Sequence, residues 1–316
     1  MEAVIEMKSL LTVSHLRTAF NTDQGKIISV DDVSFNLKPG ETLAIVGESG
    51  SGKSVTALSI MRLLSKSSRI EHGEIMLEGV NILQLEDNQL RDIRGNQISM
   101  IFQEPMTSLN PVLTIGYQMM EVIRLHLKQN KKEARASAVA MLRRVGLPGP
   151  EEIMDQYPFV LSGGMRQRVM IAMALVCKPK VLIADEPTSA LDVTVQAQIM
   201  QLMKALCAEV GTAIILITHD MGVVAEMADR VLVMYAGQVV EETDVYTLFD
   251  SPEHPYTLGL LKSIPHLDSA DDERLESIPG SVPSRYHTLK GCRFYNRCSL
   301  ATEYCRTHLP PLAVTK

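Results

Sequence analysis

The sequence predicts an α/β fold with a helical insertion and an irregular C-terminal extension. Three observations point to it. Strand-like and helix-like segments alternate. Several short runs are apolar throughout, without the alternation of a half-exposed strand. Beyond about residue 235 the pattern breaks down into proline, histidine and acidic residues.

Residues 41–46 read as a strand and 53–64 as a helix, where Ala57, Ile60, Met61 and Leu64 recur at helical spacing. Residues 180–184 and 213–218 are continuous apolar runs that suit strands buried on both faces of a parallel sheet. Between about 104 and 168, Ile115, Met119 and Val122, then Ala138, Met141, Leu142 and Val145, follow helical spacing, with Gly146 as the stop. This stretch reads as a helical subdomain inserted into the α/β core. The chain divides on this reading into a domain over 8–250 and an extension over 251–316.

With 316 residues and 46% hydrophobic content, the chain can build one large core with an extension. The formal net charge of -6 and the lack of a long basic run argue against a dedicated nucleic-acid binder. No apolar run is long enough to cross a bilayer, and residues 1–8 lack the apolar stretch of a signal peptide. The protein is therefore expected in the cytosol unless a partner holds it at a membrane. Five cysteines, two of them in apolar segments, do not form a secreted disulfide framework.

The most specific motif is Gly47-Glu48-Ser49-Gly50-Ser51-Gly52-Lys53-Ser54, a full match to G-x-x-x-x-G-K-[ST] between a predicted strand and helix. Glycines here let successive N–H groups turn inward around phosphates, and the helix start adds partial positive charge. Lys53 can reach the β- and γ-phosphates of ATP, and the Ser54 hydroxyl can ligate Mg²⁺. A second apolar strand ends in Asp185-Glu186. Beside a phosphate loop, Asp185 is expected to hold Mg²⁺ and Glu186 to act as general base toward the attacking water. Alone, two acids at a strand end read equally well as a solvated loop.

Leu161-Ser162-Gly163-Gly164-Met165-Arg166-Gln167-Arg168 resembles the signature motif of ABC-type ATPases, with Met165 where glutamine is usual. The resemblance implies a P-loop NTPase (RecA-like) nucleotide-binding domain that pairs head to tail. Ser162, Gly163 and Gly164 of one subunit would then close on the ATP of the other. Gln103 matches the Q-loop glutamine, which takes part in sensing Mg²⁺. Ser189-Ala190-Leu191-Asp192 matches the D-loop, His219 the switch histidine, and Phe20 is the candidate for stacking on adenine. Singly, Gln103 reads as a surface residue, His219 as a helix cap and Phe20 as a core phenylalanine.

The resemblance narrows to the ATPase subunits of dipeptide, oligopeptide and nickel ABC importers. It is carried by Gln103 to Pro111 and by His254-Pro255-Tyr256-Thr257, Leu260-Leu261 and Ser263-Ile264-Pro265. It implies an ATPase driving two transmembrane permease subunits, a second ABC ATPase subunit in a homo- or heterodimer, an extracellular solute-binding protein and a peripheral place on the cytoplasmic face of the membrane. Nucleic acid is not among the expected partners. The alternatives are a soluble ABC ATPase acting on DNA or ribosomes, and a non-hydrolysing regulator. The first usually carries paired domains or a long coiled coil. The second would lack Glu186 or His219.

Cys292, Cys298 and Cys305 are spaced C-x₅-C-x₆-C. In the resembling family this region carries four cysteines that can hold a [4Fe–4S] cluster. Three readings stay open: a fourth ligand beyond Lys316, His308 in its place, or three ordinary thiols.

Overall fold

The computed structural model describes residues 9–23, 25–103, 108–188, 192–264, 278–283 and 286–313. In chain order, β1 (Leu11–Thr22), β2 (Gly25–Leu37) and β3 (Thr42–Val46) precede α1 (Lys53–Ile60), β4 (Ser68–Leu77) and β5 (Val80–Asn81). Then come α2 (Asp87–Ile93), β6 (Ile98–Ile101), α3 (Ile115–Leu127), α4 (Lys131–Arg144), α5 (Pro150–Ile153) and α6 (Gly163–Leu175). The remainder is β7 (Val181–Asp185), α7 (Val193–Val210), β8 (Ala213–Ile217), α8 (Met221–Met227), β9 (Arg230–Tyr235), β10 (Gln238–Asp244), α9 (Val245–Asp250), α10 (Pro255–Lys262) and α11 (Glu303–Thr307). These elements form two compact units, neither of them a single stretch of chain. One gathers Leu37–Thr42 and Gln84–Ile217, the other Ser9–Asn36, Leu43–Leu83 and Thr218–Lys316.

In the first unit β6, β7 and β8 run parallel, with Ile101 opposite Ala184 and Asp185 opposite Ile217. Every residue of β7 and β8 is buried, as their unbroken apolar runs predict. The helices α3 to α6 come from the predicted insertion. Thr114 caps α3 by accepting from the Tyr117 N–H, and Asn130 and Glu133 form a reciprocal capping box on α4. Gly146 follows α4 at φ 74, and the Leu147 N–H returns to the Leu142 carbonyl at 3.2 Å. That is the left-handed stop the glycine promises.

In the second unit a four-stranded sheet has the order β2-β1-β4-β5. Separately, β3 lies parallel to β9, with Val46 opposite Val233, and β10 returns antiparallel along β9. Helix α1 stops at Ile60, short of the expected Leu64. Arg62 takes φ 50, its N–H bonds the Ser59 carbonyl at 3.1 Å, and the Leu63 N–H bonds the Leu58 carbonyl at 2.8 Å. This is a Schellman stop built on a non-glycine residue, so the sequence gives no signal for it.

The chain beyond Tyr235 is more regular than expected. Strand β10 and helices α9 and α10 follow, and the tail shares a core with β9. The rings of Tyr235, Tyr256 and Phe294 meet at centroid distances of 4.7 to 5.4 Å, and all three are buried. Among the described residues, no helix is long and apolar enough to cross a membrane.

Candidate functional site

The phosphate loop leaves β3 at Val46 and enters α1 at Lys53. Gly47, Gly50 and Gly52 all have positive φ. A Cβ on Gly47 would collide with the Met234 carbonyl, and one on Gly52 would lie 2.5 Å from the Ser29 carbonyl oxygen. Both positions therefore need glycine on two counts, conformation and space. Ser49 and Gly50 form the exposed tip, and Ser51 is buried, its carbonyl accepting from the Gly237 N–H at 2.9 Å. The Lys53 ammonium is buried and donates to the carbonyls of Gly47 at 2.7 Å and Glu48 at 3.0 Å. Helix α1 has Gly52 at its N-cap with no side-chain cap bond and no acid in its first turn, where Ser54 stands half-buried. That donor set fits the phosphates of ATP.

In the other unit the parallel register brings two predicted residues together. With Ile101 opposite Ala184, Gln103 comes alongside Glu186, and its Nε2 donates to Glu186 Oε2 at 3.0 Å. Asp185 is buried at the end of β7, and Glu186 is half-buried. Glu186 holds φ 44, a left-handed conformation uncommon outside glycine, and its N–H donates to the Ile217 carbonyl at 2.9 Å. Buried Asp185, next to a half-exposed carboxylate, fits a site for Mg²⁺.

The Ser162 hydroxyl caps α6 by accepting from the Met165 N–H at 3.3 Å, and Gly163 and Gly164 open the helix, with Ser162 and Gly163 exposed. Asp192 caps α7 through the Val195 N–H at 3.0 Å. Ser189, Ala190 and Leu191 lie outside the described residues, as do Glu104 to Thr107 and Pro265. The Thr218 N–H donates to the Ile45 carbonyl at 3.3 Å, so exposed His219 emerges at the same end of β3 as the phosphate loop. Helix α8 is capped by Asp220, not His219. Phe20 sits near the end of β1 opposite Ser68 and is half-buried, so it is not a core phenylalanine.

For the cysteine tail three readings stand open, and the structure bears on them. Among the described residues, no group of three or more His, Cys, Asp or Glu side chains is disposed to hold a metal ion. Cys292 and Cys298 pack against the apolar core around Tyr235, while Cys305 Sγ hydrogen-bonds Thr302 Oγ1 at 3.3 Å. Burial pushes the Cys292 thiol up, and the charges of nearby Cys298 and Cys305 add to that rise. The three thiols are neighbours engaged with protein, and these residues do not fit a [4Fe–4S] cluster.

One set of contacts at the phosphate loop has no counterpart in the sequence reading. Arg297 grips the Glu48 carboxylate with both Nη atoms, at 2.5 and 2.9 Å, and the Tyr256 hydroxyl accepts from the Glu48 N–H at 2.8 Å. Tyr256 is held by the start of α10, where Glu241 of β10 accepts from the N–H groups of Glu253 and His254 at 2.9 and 3.0 Å. Burial pushes the Tyr256 phenol well above the ordinary range, so the hydroxyl stays protonated. Arg293 likewise donates to the Ala236 carbonyl at 2.6 Å and pairs with Asp31.

Comparison with known proteins finds two matching family models and several close relatives. Residues 30–189 match the family model described as ABC transporter, and residues 240–305 match that of the oligopeptide/dipeptide transporter C-terminal region. The oligopeptide transport ATP-binding protein AppD of Bacillus subtilis is 56% identical, over 98% of this chain and 94% of its own. The oligopeptide transport ATP-binding protein OppD of Haemophilus influenzae is 52% identical, over 95% of this chain and 92% of its own. Among solved structures, the dimeric ATP-binding cassette MJ0796 bound to ADP and Pi aligns with a TM-score of 0.67 at 30% identity, over 74% of this chain and 98% of that one.

Proposed function

Because this chain belongs to the ABC transporter family, we propose that it is the ATPase subunit that drives a peptide importer. The observation that carries the reading is the phosphate loop, where Gly47 and Gly52 leave no room for a side chain and Lys53 is held among main-chain carbonyls. The peptide class is supported by the match of residues 240–305 to the oligopeptide/dipeptide transporter region and by relatives named for peptide import.

Bound MgATP would supply the phosphoanhydride bond to be broken, with the metal offsetting the negative charge of the phosphates. Lys53 binds the phosphates with the N–H groups of the loop, among them those of Ser49, Gly50 and Gly52. In one unit Ser54, and in the other Asp185 with Gln103, are the residues that would hold Mg²⁺. Glu186 Oε2, the acceptor of the Gln103 amide, takes a proton from the water that attacks the γ-phosphorus, as the bridging P–O bond breaks and ADP leaves. His219 donates to the γ-phosphate, and Phe20 stacks on the adenine. Ser162, Gly163, Gly164 and Asp192 serve the nucleotide of a second ATPase subunit. The ATPase domain spans 8–250 and the extension 251–316. Two permease subunits carry the peptide, delivered by an extracellular solute-binding protein, and hold the ATPase at the cytoplasmic face of the membrane.

Reconstitution into proteoliposomes with candidate peptide permease subunits tests this directly. Peptide-stimulated phosphate release and peptide uptake are expected, both abolished by Lys53→Ala. An active wild-type ATPase that never associates with a permease would overturn the transport assignment.

A further inference from the structure

The geometry points to Arg297 and Tyr256 as positioning residues of the phosphate loop, a role for the C-terminal region in nucleotide affinity. It rests on the ATPase reading above and names how that site is held.

Glu48 is the second residue of the loop. Three of its groups are fixed, two of them by residues from far along the chain. Its N–H donates to Tyr256, its carboxylate takes the Arg297 fork, and its carbonyl accepts from Lys53 Nζ at 3.0 Å. The contacts therefore run in series from the tail, through one residue, to the ammonium that binds phosphate. Arg297 is a fixed partner, not a surface charge. It is 8% exposed, its Nε donates to the Pro279 carbonyl at 2.8 Å, and Nη1 also meets the Tyr235 hydroxyl at 3.4 Å. A bidentate guanidinium–carboxylate pair sets distance and orientation together.

Charge gives a second reason. A carboxylate one residue from Gly47 would repel the polyphosphate the loop receives, and the effect is strong away from bulk water. Arg297 cancels that charge. Glu48 in turn favours the charged guanidinium, whose pKa is raised chiefly by its hydrogen bond to Glu48.

Removing the cation while leaving the acid should therefore weaken nucleotide binding more than it slows chemistry. In the complete transporter, Arg297→Met is expected to raise the KM for MgATP by roughly tenfold or more, as loss of one partner of a shielded ion pair does, with kcat within about twofold. Adding Glu48→Gln to Arg297→Met should recover most of that loss, because no unpaired charge remains. Arg297→Lys, which keeps charge without the fork, should fall between. Tyr256→Phe keeps the ring in the core and removes only the hydroxyl. It should also raise KM with little change in kcat, and it decides the matter if Arg297→Met does not fold. Binding of a fluorescent ATP analogue reads the same affinities without turnover, so an inactive wild type would count against the ATPase reading and leave this test standing. Unchanged affinity in Arg297→Met, or no recovery in the double variant, would overturn the proposal, as would unchanged affinity in Tyr256→Phe.

Discussion

Glu186 sits in a left-handed conformation with its carboxylate beside Gln103. Glutamine at this position keeps shape and hydrogen-bonding capacity but cannot take a proton. Glu186→Gln is expected to bind ATP normally and to lower phosphate release by at least about a hundredfold, the usual worth of a general base. Turnover near the wild-type rate would remove Glu186 from that role. The cysteines separate by environment in the same way. Burial pushes Cys177 up to about 11 and Cys207 up to about 12, whereas hydrogen bonds from Thr302 hold Cys305 below the usual thiol range. A lowered pKa means that thiolate appears at lower pH, and thiolate is the reactive form. Native protein treated with iodoacetamide at about pH 8 should therefore label Cys305, and leave Cys177 and Cys207 for the unfolded chain, as read by peptide mass spectrometry. Such residues differ in how far the sequence exposes them. The phosphate loop, Asp185 and Glu186 are legible because chemistry fixes their order and spacing. The Glu48–Arg297 pair is not, since 249 residues separate the partners and neither residue type stands out.

Helix existence was legible from periodicity, and helix ends only where a glycine or capping side chain marked them. Gly146 announced its stop, but Arg62, in the same left-handed position after α1, did not. Close approach between elements is also hidden from the sequence. Gly116, in the first turn of α3, lies against the end of α5, where an added Cβ would come 2.5 Å from the Met154 carbonyl oxygen. The Gly116 N–H also donates to that carbonyl at 2.8 Å. Gly116→Ala ought to raise helix propensity, yet the collision outweighs it. A net loss of about 1–3 kcal/mol is expected in urea unfolding, the cost of an overpacked contact. Equal or greater stability would show that the α3–α5 contact can yield.

The two units are woven from returning segments, so composition along the chain could not reveal them. A linear reading sees a tail after residue 250, while the fold seats part of that tail with β9 and the phosphate loop. The partner surfaces are legible only in outline. The unit holding α3 to α6 exposes Val112 at 75% and stacks Tyr157 on Phe159, 5.6 Å apart, with both rings exposed. Such apolar exposure suits contact with another chain. Cysteines placed at Val112 or Phe159 should cross-link to a permease subunit, and substitutions within 104–110 should lower transport more than ATP binding. Efficient transport with wild-type coupling in all of these variants would send the permease contact elsewhere. The grip of Arg297 on Glu48 also bears on inheritance. Neither residue can drift alone without leaving a shielded charge unmatched, so the two positions should change together as lineages diverge. A chimera that exchanges C-terminal regions between distant relatives must carry residue 48 along with its partner.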